Sequence, residues 1–147
     1  MREIIFRGKR EDGYGWIEGD LIHDIAENNR PRINIKYEYS TGTFYHCGAP
    51  RVVPETVGQF TGLTDKNGKK IFEGDIIQGT IVSSWNKEPI KCKVVYKRDM
   101  FICEETLRGA RICDHKVCFA KDIKVIGNIH DNPELLEVEE NERGILT

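Results

Sequence analysis

The chain has 147 residues, of which 39% are hydrophobic and 31% charged, and its formal net charge is −2. This length suffices for one large domain or two small ones, each with a core of its own. The composition excludes a largely disordered chain, and no run of about 18 apolar residues is present to form a membrane-spanning helix.

The N-terminal apolar run, residues 4–6, is too short for the core of a signal peptide, so we expect a cytoplasmic protein. The cysteines are odd in number and lack paired spacing, which favours reduced thiols over a disulfide framework. They are Cys47, Cys92, Cys103, Cys113 and Cys118.

Glycine and proline divide the first part of the chain into short apolar runs, which is typical of β-strands joined by tight turns. Residues 3–7 and 14–23 form the first two runs. Residues 33–39 are the clearest strand, because apolar side chains occupy every second position and so share one face. Gly42 follows and predicts a hairpin that leads into residues 44–46.

Pro50 and Pro54 mark the predicted boundary between an N-terminal β-hairpin region, residues 1–53, and a second domain, residues 54–136. Asn67-Gly68 is a strong hairpin signal, because both residue types accept positive φ angles.

Gly74 then predicts a sharp bend. Short strands are expected at residues 79–83, 90–96, 101–103, 111–119 and 123–129. Their number and length favour a small SH3-like barrel-type half.

Asn132-Pro133 predicts the start of a short C-terminal helix, and residues 137–147 form an acidic tail. The predicted fold class is therefore mainly β. It has short antiparallel strands, with an N-terminal β-meander, the small SH3-like barrel-type half and the short C-terminal helix.

Catalytic motifs are not recognisable. None of the three serines lies in a nucleophile elbow, so we expect no enzyme and no catalytic residue. An enzyme would require scattered carboxylates, such as those of Glu18, Asp20, Glu73 and Asp75, to converge in a cleft.

Among possible sites with chemical activity, a metal site has the best support in the sequence, because Cys113, His115 and Cys118 fall within six residues. The spacing differs from the paired cysteine knuckles of zinc fingers, and on a strand Cys118 would point away from the other two. Buried apolar cysteines are the favoured interpretation, so no metal and no cofactor is expected.

The predicted strand at residues 90–96 is basic. Lys91 and Lys93 share one face of it, Tyr96 belongs to the other face, and Lys97 and Arg98 extend the charge into the next turn. These five residues are the candidate nucleic-acid-binding site, in which Tyr96, or the nearby Trp85 or Phe101, could stack on a base. The competing interpretation is an edge strand that lysines protect against aggregation, and we favour it on sequence grounds.

Several sequence blocks resemble YopX-like phage and prophage proteins. They are residues 1–10, 15–20, 54–63, 65–77 and 125–136. The resemblance implies a β-rich fold and a phage or prophage origin in bacteria. It implies no established activity, cofactor or catalytic residue.

The sequence therefore predicts a phage or prophage accessory protein that acts as a non-catalytic protein-interaction module. Its partner would be a host or phage protein, or a second copy of the chain, and no membrane is involved. The alternative is a small nucleic-acid-binding β-barrel that uses the basic strand.

Overall fold

The computed structural model of the chain describes residues 2–38, 44–46, 48–82, 84–85, 87–107, 110–116 and 120–136. At residues 36–38, 44–46, 88, 105–107 and 110–116 it describes the backbone alone. The predicted acidic tail, residues 137–147, lies outside the described residues.

The protein is mainly β, as predicted. The strands in the described part of the chain are β1 (Phe6–Lys9), β2 (Trp16–Asp24), β3 (Arg30–Asn34), β4 (Lys36–Glu38), β5 (Phe44–His46), β6 (Gly58–Thr64), β7 (Lys70–Phe72), β8 (Asp75–Val82), β9 (Lys87–Lys97), β10 (Met100–Leu107), β11 (Ala110–Lys116) and β12 (Ala120–Asn128). Short 3₁₀ turns lie at Ile25–Glu27, Pro54–Thr56 and Pro133–Leu136.

The chain divides into two compact units, Met1–Gly62 and Leu63–Thr147. The division falls within β6, nine residues beyond the boundary that the prolines predict at residue 53.

In the first unit, antiparallel strands follow the order β3-β2-β1-β6. Its buried apolar side chains include Ile33, Val52 and Phe60. Gly19 lies so close to the neighbouring strand that a Cβ there would stand 2.1 Å from the carbonyl oxygen of Asn34. A glycine at this position is what allows β2 to approach β3.

The strand predicted at residues 33–39 is divided in two. β3 ends at Asn34 and pairs with β2, whereas β4 begins at Lys36 and pairs with β5. The β4–β5 pair is the hairpin that Gly42 predicts, although the turn itself lies outside the described residues.

In the second unit, antiparallel strands follow the order β11-β10-β9-β8-β12. β9 lies between β10 and β8, so the interpretation of its lysines as protection of an edge strand is wrong. One face of this sheet is apolar and buried. It carries Ile77, Ile90, Cys92, Val94, Cys103, Ala120, Ile123 and Val125, with Ile71 from β7. The strand pairs of the described residues form an open series, and closure into a barrel stays a prediction.

Two turns of the second unit illustrate how φ angles determine hairpins. At the predicted Asn67-Gly68 hairpin, Gly68 has a φ of 81° and its N–H donates to the Asp65 carbonyl. Between β9 and β10, Arg98 and Asp99 have φ angles of 54° and 60°, as a type I′ turn requires. The sequence gives no glycine signal for this second turn.

The predicted C-terminal helix is a single 3₁₀ turn, in which the Leu135 N–H donates to the Asn132 carbonyl. Among the described residues, no helix is long and apolar enough to cross a membrane.

Candidate nucleic-acid interface

The outward face of the second sheet carries a row of long polar side chains. Lys91 of β9 lies opposite Gln78 of β8, and Gln78 lies opposite Lys124 of β12. Adjacent strands are about 4.8 Å apart, so the two lysine backbones are separated by roughly 10 Å. Cys92 and Val94, which alternate with the lysines of β9, are fully buried on the opposite face.

This row forms part of an open groove of about 450 Å³, which we call the lysine groove. Its lining residues are Lys66, Gln78, Gly79, Thr80, Pro89, Ile90, Lys91, Asp122 and Lys124. All of them belong to the second unit.

A β-bulge in β12 shapes one side of the groove. Lys121 pairs with Thr80 and Lys124 pairs with Gln78, so β12 holds one residue more than β8 between these pairs. Asp122 lies in this bulge with a φ of 53°. Bulges redirect side chains at sheet edges, and this one brings Lys124 into line with Gln78.

The turn between β6 and β7 brings a third lysine to the groove. The Lys66 N–H donates to the Ile123 carbonyl at 2.8 Å, which joins the turn to β12. Asp65 reinforces the connection, because its Oδ2 accepts a hydrogen bond from the Val125 N–H at 3.0 Å. Its Oδ1 accepts from the N–H groups of Asn67 and Lys69 at 2.8 and 2.9 Å.

The Asp65 side chain is therefore a structural carboxylate. Burial raises the pKa of this carboxyl, but the hydrogen bonds from Val125, Lys69 and Asn67 outweigh that effect, and the pKa is lower than usual. Asp65 stays ionised and holds the turn that presents Lys66.

The groove is electropositive. Within the described part of the chain, the ammonium groups of Lys66, Lys91 and Lys124 have no carboxylate partner in an ion pair. Asp122 is the one acidic residue among the lining residues. An anionic ligand would therefore meet lysines whose charge is not already compensated.

Two lysines of the sequence-predicted site lie in a different environment. Lys93 and Lys97 reach Glu104 on β10, at 3.3 and 2.5 Å. The hydrogen bond from Lys97 lowers the pKa of the Glu104 carboxyl, burial opposes it, and Lys93 adds to the lowering. Glu104 thus compensates part of the charge that the sequence assigns to a basic strand.

The other predicted site residues lie beyond the groove lining. Tyr96 belongs by alternation to the face opposite Lys91, and it packs edge-on against Phe101 with ring centroids 5.1 Å apart. Arg98 occupies the β9–β10 turn. Of the five predicted residues, Lys91 is the one that lines the groove.

Sequence reasoning missed Lys66 and Lys124. The first is part of a turn that looks like an ordinary lysine-rich hairpin. The second follows the bulge at Asp122, which interrupts the two-residue alternation of β12, so that its face depends on strand register.

The four carboxylates considered for catalysis belong to different units, two to each. Glu18 and Asp20 line a cavity of about 380 Å³ in the first unit, together with Glu3. In the second unit, Asp75 is buried and accepts a hydrogen bond from the Phe72 N–H at 2.8 Å, which is a turn-stabilising role.

The described residues contain no group of three or more side chains suited to a metal ion. The Cys113 and His115 side chains and all of Cys118 lie outside the described part, so the structure does not bear on that candidate site.

A family model described as YopX protein matches residues 5–137. The chain belongs to the YopX family. This agrees with the resemblance that the sequence blocks indicate.

A solved structure, that of protein EF1440 from Enterococcus faecalis, is similar to this YopX family member. The two are 26% identical with a TM-score of 0.55, and the match covers 93% of this chain and 100% of that one. A search of curated proteins finds no match.

Proposed function

We propose that this YopX family member is a non-catalytic binding protein, encoded by a phage or prophage, whose lysine groove holds the phosphate backbone of a nucleic acid. One observation carries the proposal: Lys66, Lys91 and Lys124 surround a single groove, and none of them is ion-paired with a described carboxylate. The phage or prophage origin rests on the family resemblance.

The form of the groove supports a polymeric anion over a small one. The groove is open, and lysines from β9, from β12 and from the β6–β7 turn reach it from separate elements. A lysine ammonium is a flexible point charge, which suits contacts with successive phosphates better than bidentate recognition of one carboxylate. Gln78 and Thr80 add neutral hydrogen-bonding groups between the charges.

The proposal places the protein in the bacterial cytoplasm. Cys92 and Cys103, both buried in the second unit, are thiols and not members of a disulfide. Buried thiols of this kind are typical of a reducing compartment.

Fluorescence anisotropy with a labelled 20-nucleotide oligothymidylate tests the proposal. The double variant Lys91→Gln/Lys124→Gln should bind about tenfold more weakly or worse at low salt. It should also reduce the slope of log affinity against log salt by about 1.4, since each lost contact with a single strand removes about 0.7.

The matched control is Lys93→Gln/Lys97→Gln, which removes the same charge from the same sheet face but from lysines that Glu104 partly compensates. We expect the control to lose clearly less affinity. Equal losses in the two double variants would assign binding to overall charge and contradict the role of the groove. Polyglutamate serves as the competitor: displacement of the oligonucleotide at equal charge concentration would indicate an acidic protein as the ligand instead.

A second candidate, a protein-interaction module, is favoured by the first unit. Tyr14 and Ile25 are 82% and 87% exposed there, and Ile4 is 54% exposed. A host or phage protein, or a second copy of the chain, could cover them. Light scattering tests the second copy: a dimer that Ile25→Ser converts to a monomer supports self-association, and a monomer at high concentration contradicts it.

A further inference from the structure

The β8–β9 ribbon carries an unusually exposed aromatic ring near its tip. Trp85 is 95% exposed, the highest value among the large hydrophobic side chains that the structure describes. It lies between the last paired residues of the two strands, Val82 and Lys87. Its indole therefore has a ring face open to a ligand.

The same ribbon leads from the lysine groove to this ring. Gln78, Thr80 and Val82 alternate on the outward face of β8, and their partners on β9 are Lys91, Pro89 and Lys87. The distance along β8 from Gln78 to Val82 is roughly 13 Å. Val82 is 49% exposed, so this face stays open to solvent as far as the loop that carries Trp85.

We infer that the nucleic acid held by the lysine groove is single-stranded, and that the indole of Trp85 stacks on one of its bases. This inference rests on the proposed function. A strand whose phosphates contact Lys91 and Lys124 and which continues along the ribbon brings a base to Trp85. In a duplex the base faces are covered by their neighbours, so this contact is available to an unpaired base only.

The experiment compares a labelled 20-nucleotide oligothymidylate with a labelled 20-base-pair duplex at the same salt concentration. Trp85→Ala should weaken binding of the single strand about five- to a hundredfold, which corresponds to one stacked base, and should leave duplex binding unchanged. Trp85→Phe keeps an aromatic face and should recover most of the affinity. Tyr14→Ala, which removes an exposed aromatic ring from the first unit, is the control and should change neither affinity.

The outcomes separate this inference from the proposed function. If Trp85→Ala has no effect while Lys91→Gln/Lys124→Gln weakens binding, stacking is refuted and the groove remains. Duplex binding at least as tight as single-strand binding refutes the preference for single strands. If the wild-type protein binds neither probe, both the inference and the proposed function are wrong. Because Trp85 is exposed, loss of folding does not complicate the variant, and circular dichroism verifies this.

Discussion

Asp65 offers a quantitative test of how the groove is held together. Its carboxylate accepts hydrogen bonds from Asn67, Lys69 and Val125, the last of them 60 positions away in the sequence. Asn67 and Lys69 are exposed, so water can replace the carboxylate at their N–H groups. Val125 is buried, so its N–H would lose its partner without replacement.

The Asp65→Asn variant isolates this loss with almost no change in volume. The amide oxygen can still serve the turn, but its NH₂ group then faces the Val125 N–H, donor against donor. One unsatisfied buried donor costs about 1–3 kcal/mol, and the weaker turn bonds of a neutral acceptor add to it. We expect the free energy of unfolding of the second unit to fall by about 2–3 kcal/mol in a urea titration followed by circular dichroism.

The pH dependence of the free energy of unfolding gives a second readout of the role of Asp65. The folded-state pKa of Asp65 is lowered, so the unfolded state binds its proton at a higher pH than the folded state does. The stabilisation is therefore complete above the ordinary carboxyl pKa of about 4, and it is lost as the pH falls through the folded-state value. The difference in free energy of unfolding between wild type and Asp65→Asn should therefore become smaller as the pH falls from the ordinary carboxyl pKa through the folded-state pKa of Asp65.

Asp122→Asn makes the same chemical change at an exposed position of the β12 bulge and is the matched control, with an expected change within about 0.5 kcal/mol. Two results would refute the reasoning. One is an Asp65→Asn variant as stable as this control. The other is a stability difference that stays constant through the acid range.

Three further predictions concern other parts of the molecule. Gly19→Ala should lower the free energy of unfolding of the first unit by about 2 kcal/mol or more in a urea titration, because the added Cβ would collide with the Asn34 carbonyl. An unchanged urea midpoint would show that β2 and β3 are not so close. Glu104→Gln should raise oligonucleotide affinity up to about fivefold in the anisotropy assay, since it removes the carboxylate charge that Lys93 and Lys97 contact; weaker binding would contradict this. Cys92 and Cys103 should react with a thiol reagent only after denaturant is added, because both are buried; modification of either in the native protein, located by mass spectrometry, would count against the assigned core.

Much of the fold follows from local sequence chemistry. Gly68 and Gly74 lie at turns where they are expected, and both have positive φ angles, which few other residue types tolerate. Asn67, which forms the predicted hairpin signal together with Gly68, has no positive φ angle. The alternation in β9 places Cys92 and Val94 in the core and leaves Lys91 outside. These features need no knowledge of which strands become neighbours.

The composition of the groove depends on strand order and register instead. The Lys91–Gln78–Lys124 row exists because β8 lies between β9 and β12, and nothing local to any of the three strands encodes that order. The bulge at Asp122 adds one residue to β12 without a glycine to mark it. A period-two pattern therefore assigns Lys124 to a face only once the pairing with Gln78 is known.

The turn at Arg98-Asp99 and the pairing of Lys93 with Glu104 escaped prediction for related reasons. The turn contains no glycine or asparagine, although both residues have positive φ angles. Glu104 on β10 lies directly opposite Lys93 on the adjacent strand β9. The positive charge of a segment that is basic in the sequence is therefore partly compensated in the folded protein.

A nuclear magnetic resonance titration of the isotope-labelled protein with unlabelled oligothymidylate tests the central claim most directly. We predict amide shift changes concentrated in β8, β9 and β12 around Gln78, Lys91 and Lys124, with a shift of the Trp85 indole N–H. Changes confined to the first unit, or absent from those three strands at saturating oligonucleotide, would contradict the assignment of the lysine groove as the nucleic-acid interface.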